Sequence, residues 1–138
     1  MMIEGRVWKD KKFWLAEIPL LDYLTQGHTR KEALEMAKDI VITGVEKDGF
    51  EVTLIKGPEN TFRLTSNDTN ALLAHMLRRQ RQKHGLTVRE VSSRLHSASP
   101  NAFSVYERGK SAPTMIKLEE LFHAIDPSAS LVLQIAKG

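Results

Sequence analysis

The chain contains no cysteine, so disulfide frameworks, thiol nucleophiles and thiolate metal sites are excluded, and stability must come from packing alone. It has no apolar run near the roughly 20 residues that cross a bilayer. The opening MMIEGRVWKD has neither the basic start nor the apolar stretch of a secretory signal. A soluble, cytoplasmic protein with no membrane partner is the expectation. Aromatic residues make up only 7%, against 41% hydrophobic and 27% charged, an ordinary globular balance that argues against disorder or a fibrous repeat. A length of 138 residues leaves room for two modules of roughly 60 to 70 residues, each with a modest core.

The first half lacks a charge excess. Residues 1 to 66 hold 10 basic and 11 acidic side chains, whereas residues 67 to 138 hold 10 and 6. Between His75 and Lys110, eight cations (Arg78, Arg79, Arg81, Lys83, Arg89, Arg94, Arg108 and Lys110) face only Glu90 and Glu107. Such a stretch suits a polyanion, although a charge run is also compatible with a plain solvated surface, so the underlying pattern has to decide.

That pattern is helical. Leu72, Leu73, Met76 and Leu77 recur at helical spacing from Asp68 to His84, with Ser66, Asn67 and Asp68 as possible caps and Gly85 as the stop. Thr87-Val88-Arg89-Glu90 is a capping box that opens a second helix to about Leu95. Ser99-Pro100 pairs a cap residue with proline at the first helical position, predicting a third helix to about Arg108 and a stop at Gly109. Pro113-Thr114 opens a fourth, with Leu118, Leu121, Phe122 and Ile125 inward and Asp126-Pro127 at its close. The histidines His75, His84, His96 and His123 have no metal-ligand spacing and read as surface residues.

The stretch LRRQRQKHGLTVREVSSRLHSASPNAFSVYERGKSAPTMIKLEEL, Leu77 to Leu121, resembles the phage-repressor (Cro/CI, or XRE) family of helix-turn-helix domains. The resemblance rests on the GLT-xx-E-V opening of the second helix, the small Ser92, the cap Ser99, and YERGK followed by Pro113. It implies an ion pair between Arg81 and Glu107, which would fix geometry more than add stability. It also implies that the helix starting at Ser99 enters the major groove of double-stranded operator DNA. Base-reading positions then fall on Pro100, Asn101, Ser104 and Val105, with Asn101 the candidate for a bidentate contact to adenine. Thr87, Arg89, Ser99, Arg108, Lys110 and Ser111 complete the DNA-binding set, mostly as phosphate contacts. Here a proline replaces the usual polar first reader, and the turn HSAS is one residue longer than the family norm. A dimerisation module without a DNA role is the competing reading.

The tail ASLVLQIA alternates Leu131, Leu133 and Ile135 against Val132 and Gln134, a strand pattern. Its partner is either the same strand of a second subunit, giving a homodimer or higher homo-oligomer, or another part of its own chain.

In the first half, Ile3 to Asp10 and Phe13 to Ile18 are β-branched and aromatic runs around the turn Asp10-Lys11-Lys12, predicting a hairpin that Pro19 ends. Thr29-Arg30-Lys31-Glu32 is another capping box, and Ala33, Ala37, Ile40 and Val41, with Leu34 and Met36 beside them, form the buried stripe of a helix to about Thr43. Phe50 to Ile55 and Thr61 to Leu64 are two further strands. The expected fold is therefore α+β: a small antiparallel sheet with one covering helix over residues 1 to 65, followed over residues 66 to 138 by an all-α helix-turn-helix domain and a short C-terminal strand.

The segment WLAEIPLLDYLTQGHTRKEAL, Trp14 to Leu34, resembles the HicB antitoxin domain, through a strand ending in glutamate-x-proline and then Gln26, Gly27, Thr29, Glu32 and Ala33 opening a helix. Gly27 is expected to take a backbone shape that other residues resist, and Thr29 with Glu32 to cap the helix. The resemblance implies a partial ribonuclease H fold and an antitoxin of a type II toxin-antitoxin pair. Its first domain would cover a HicA-like mRNA-cleaving toxin and its second would repress the shared operon. Against a basic toxin, Glu17, Asp22, Glu32, Glu35 and Asp39 are candidate contacts, or equally plain surface charge. A live nuclease would need three or four carboxylates converging on magnesium, and Asp10, Glu17, Glu35 and Asp39 form no such set. No enzymatic activity, metal or cofactor is expected. The alternative function is a stand-alone XRE-type transcriptional regulator whose first domain is a sensor or dimerisation unit.

Overall fold

In the computed structural model, which describes residues 1–137, β1 (Ile3–Asp10) and β2 (Phe13–Ile18) pair as an antiparallel hairpin with Arg6 opposite Glu17 and Asp10 opposite Phe13. The lysine-rich turn closes on Lys11 at φ +56. A 3-10 turn, Pro19–Leu21, leads into β3 (Tyr23–Gly27), which returns along β2. Helix α1 (Arg30–Val45) follows, its Thr29 side chain accepting the Glu32 amide. Strands β4 (Val52–Lys56) and β5 (Thr61–Ser66) complete an antiparallel sheet of order β3-β2-β1-β5-β4. The chain ends in α2 (Thr69–Lys83), α3 (Val88–Arg94), α4 (Asn101–Glu107) and α5 (Met115–Ile125).

Period-two alternation decides which sheet face is covered. Ile3, Gly5 and Val7 of β1, Ala16 and Ile18 of β2, and Phe62 and Leu64 of β5 are buried on the face that α1 covers with Ala33, Ala37 and Val41. The other face carries Arg6, which pairs with Glu17 and lies 5.8 Å over the Trp8 ring. The helical stripe is narrower than expected: Ile40 is 36% exposed and Met36 49%, because a run of alanines lets the helix lie close to the sheet on one line of residues.

The expected fold class needs correction. The sheet has five strands rather than four, because Tyr23 to Gly27, expected as loop, is a strand. The helices do not form a separate all-α domain behind the sheet, since one continuous core of buried side chains runs from Ile3 to Ile125. The fastening is specific. Arg79 of α2 donates to the carbonyls of Leu21 (2.8 Å) and Asp22 (2.7 Å), and Gln80 donates to those of Pro19 (3.2 Å) and Leu20 (2.9 Å). Four carbonyls of an irregular strap are thereby satisfied from the helix, which a buried strap requires. The layout is thus a single mixed arrangement of five antiparallel strands and five helices.

The expected closing strand is also absent. Residues 129–137 take neither helix nor strand, and Val132, Leu133 and Ile135 are 88%, 81% and 89% exposed, while Leu131 packs on the core. Alternation makes a strand only where a neighbour supplies the ladder. Among the described residues no helix is long and apolar enough to cross a membrane.

Candidate nucleic-acid interface

Helix α3 opens on the reciprocal capping box foreseen at Thr87 and Glu90: the Glu90 amide donates to Thr87 Oγ1 and the Thr87 amide to Glu90 Oε1, both at 3.1 Å. One turn later Ser92, buried, positions the next helix. Its hydroxyl donates to the Pro100 carbonyl (3.0 Å) and accepts the Phe103 amide (3.2 Å). Phe103 is fully buried beneath it. The intervening turn passes through His96 at φ +60. A left-handed residue there accommodates the extra length of the connection.

These anchors leave one side of α4 outward. Ser99, Pro100 and Asn101 are exposed and Ser104 and Val105 half-buried. They are linked in a chain: the Asn101 amide donates to Ser99 Oγ (3.2 Å), and the Ser104 hydroxyl donates to Asn101 Oδ1 (3.3 Å). A side-chain amide oxygen has two lone pairs, so Asn101 retains one acceptor site and both N–H donors. Arg108 Nε donates to the Ser104 carbonyl (3.4 Å), and the amides of Lys110 and Ser111 both donate to the Val105 carbonyl (2.9 and 3.2 Å). Ser99, Asn101, Ser104, Val105, Arg108, Lys110 and Ser111 therefore form one connected stretch on α4 and the turn after it. Thr87 and Arg89 are exposed at the start of α3, with no hydrogen bond to that stretch.

Behind α4, Arg81 grips Glu107 with two parallel bonds, Nε to Oε2 at 2.8 Å and Nη2 to Oε1 at 3.1 Å, and Nη1 donates to the Leu86 carbonyl at 2.9 Å. The side chains are 15% and 8% exposed. The pair ties the end of α4 to α2 and to the loop before α3.

Not all of the basic run faces solvent. Arg79 holds the strap, Arg81 holds Glu107, and Arg94 donates to the last carbonyls of α5, Ala124 (3.0 Å) and Ile125 (3.3 Å). Arg78 lies within 3.5 Å of the Glu107 carbonyl. The exposed cations are Lys83, Arg89, Arg108 and Lys110, besides Arg94 on the rim. Half of the charge that marks this segment in the sequence thus holds the fold together.

The five acidic candidates are not brought together. Glu17 is on the sheet face that α1 leaves open and pairs with Arg6. Asp22 ends the 3-10 turn near Arg79, while Glu32, Glu35 and Asp39 lie on exposed positions of α1, over the opposite sheet face. Two glycine and histidine expectations also need revision. Gly27 does not have a positive φ. Its requirement is steric, since a Cβ there would sit 2.5 Å from the Ala33 amide nitrogen. His75 is not a surface residue: it is 4% exposed, and its Nε2 lies 2.8 Å from the Tyr23 hydroxyl. Burial first, and then the charges of Arg78 and Arg79, push its pKa down to about 4. Burial outweighs the same arginines at Tyr23 and raises its pKa. His75 is three residues after Leu72 and next to Met76, so helical spacing was the available signal for its burial.

Beside these residues, α1, α2 and the turn after α4 enclose a cavity of about 370 Å³ whose walls include His75, Asn70, Arg108 and Lys110. Among the described residues no group of three or more histidine or carboxylate side chains could hold a metal ion. No protein-family model matches the chain, and no curated protein matches it.

Proposed function

We propose that this protein is a cytoplasmic HicB-like antitoxin that binds double-stranded operator DNA through α4 and the turn after it, represses its own operon, and neutralises a HicA-like mRNA-cleaving toxin through its sheet half. The carrying observation is the connected, outward stretch from Ser99 to Ser111, held from behind by Ser92 and by the Arg81–Glu107 pair. A rigid helix whose leading edge carries an amide and hydroxyls, flanked by free cations, suits a major groove in which base edges are read by the amide and phosphates by the cations. Asn101 reads, Ser104 orients it, and Arg108 and Lys110 hold backbone phosphates. Two copies, as a homodimer or higher homo-oligomer, would read two half-sites.

The toxin-facing part of the reading is supported by the resemblance of Trp14 to Leu34 to HicB. Glu32, Glu35 and Asp39 recur at helical spacing on α1 and can meet a basic partner together, whereas Glu17 and Asp22 lie elsewhere.

Two experiments test the proposal. Fluorescence anisotropy against the DNA upstream of its own reading frame should show binding that weakens steeply with salt; no binding at low ionic strength overturns the DNA half. Expression of a neighbouring small basic reading frame, alone and with this chain, should show toxicity relieved by a copurifying complex. The absence of both overturns the antitoxin half. A stand-alone regulator with a sensing first half is the second reading, favoured by the cavity beside His75.

A further inference from the structure

We propose that the cavity between α1, α2 and the turn after α4 is a binding site for a small phosphate monoester that carries free hydroxyls, of the class of sugar phosphates and nucleoside monophosphates. At about 370 Å³ it is within the size range of small-molecule sites. Two polar atoms on the residues that line it, His75 Nδ1 and Asn70 Oδ1, are buried and have no hydrogen-bond partner. Buried polar atoms are almost always paired, so a pair of them at one cavity points to a ligand.

Their chemistry specifies what the ligand must offer. Tyr23 holds its proton, and its hydroxyl faces His75 Nε2 at 2.8 Å. The phenol is the donor in that bond, which places the single ring hydrogen of neutral His75 on Nδ1. His75 therefore presents a donor for a ligand oxygen. Asn70 Nδ2 donates to the Gly109 carbonyl at 3.0 Å, which fixes the amide orientation and leaves Oδ1 as an acceptor for a ligand hydroxyl.

The charges require an anion. Of the ionic side chains around the cavity, Lys47 is paired with Asp68 and Glu107 with Arg81. Arg78, Arg108 and Lys110 remain, against Glu46 alone. A phosphate monoester, carrying roughly −1.5 to −2 at neutral pH, matches that excess. Because Arg108 and Lys110 also belong to the stretch assigned to DNA, an occupied cavity competes for them. That consequence rests on the DNA-binding reading, whereas the site itself does not.

The test uses the full chain without DNA. Ribose 5-phosphate, glucose 6-phosphate and adenosine 5′-monophosphate are titrated while NMR follows the His75 ring and Asn70 side-chain amide signals, with ribose and inorganic phosphate as controls. At least one monoester should shift both signals saturably and bind at least tenfold tighter than either control. Asn70→Asp, which puts a negative charge in the cavity, should weaken that binding at least tenfold, and Arg78→Gln at least fivefold, each checked for an unchanged fold by its melting curve. The proposal is overturned if all three monoesters leave both signals unmoved, bind no tighter than inorganic phosphate, or bind equally well to both variants. A short random duplex that alone moves these signals would also overturn it, by making the cavity a subsite for the DNA backbone.

Discussion

The hydroxyl of Tyr23 and the Nε2 of His75 are 52 residues apart in the chain and 2.8 Å apart in space, in a buried bond that joins β3 to α2. Around it, the Arg79 guanidinium lies 4.3 Å over the Tyr23 ring, and Gly44 of α1 comes so near that a Cβ there would be 2.3 Å from the hydroxyl. One hydrogen bond thus sits where the sheet, its covering helix and the helical half meet.

The His75 pKa makes this junction pH-sensitive. The folded value, about 4, lies below the ordinary value of 6.5. As pH falls through 6.5 the unfolded chain takes up a proton that the folded chain refuses, so stability is fully present above pH 6.5 and falls until about pH 4. The His75 contribution to this loss is at most about 3 kcal/mol. Urea denaturation at pH 4.5 and 7 should show it. His75→Phe should be less stable at pH 7, by about 1–3 kcal/mol for the stranded Tyr23 hydroxyl, yet lose less between the two pH values. An equal loss in both proteins would rule out His75 as the source.

The Arg81–Glu107 pair should behave asymmetrically. Arg81→Met leaves a buried carboxylate alone and should cost about 3–5 kcal/mol in denaturant midpoint experiments, whereas Arg81→Met with Glu107→Leu should recover much of that loss. Additive losses would mean that the two side chains act independently.

Gly27→Ala should destabilise the protein by about 2 kcal/mol although no left-handed backbone is involved, because the added methyl meets the Ala33 amide at 2.5 Å, and the glutamate backbone and Cβ before it at 2.9 Å. Thermal unfolding measures this. A neutral result would show that α1 can move off the strand freely.

On DNA, Asn101→Ala should weaken binding to a preferred duplex by roughly 1–3 kcal/mol while leaving binding to random duplex nearly unchanged. Lys110→Ala should weaken both alike and reduce the slope of log affinity against log salt by about one. Anisotropy titrations at several salt concentrations separate the two. Equal losses on both duplexes for Asn101→Ala would remove it from base reading.

Local signals in the chain were strong wherever a residue acts on its near neighbours. The capping box of Thr87 and Glu90 forms as read, the hairpin Ile3–Asp10 with Phe13–Ile18 has the expected bounds, and Thr114 caps the last helix. Tyr23 to Gly27 was missed because its alternation is brief and follows a proline-led turn, so only pairing with β2 identifies it as a strand. The tail was over-read for the converse reason, since Leu131 to Ile135 alternate without a strand to join.

What the sequence by itself determined is thus the helix starts and stops, the hairpin and the location of the cationic run, all set by caps, turns and periodicity within a few residues. Only the tertiary structure decided which cations stay free, that the helices share one core with the sheet, and that His75 and Asn70 meet at a cavity. Those outcomes depend on residues tens of positions apart competing for the same hydrogen-bonding groups, such as Arg79 and Gln80 for the carbonyls of Pro19 to Asp22, and no local pattern encodes who wins that competition.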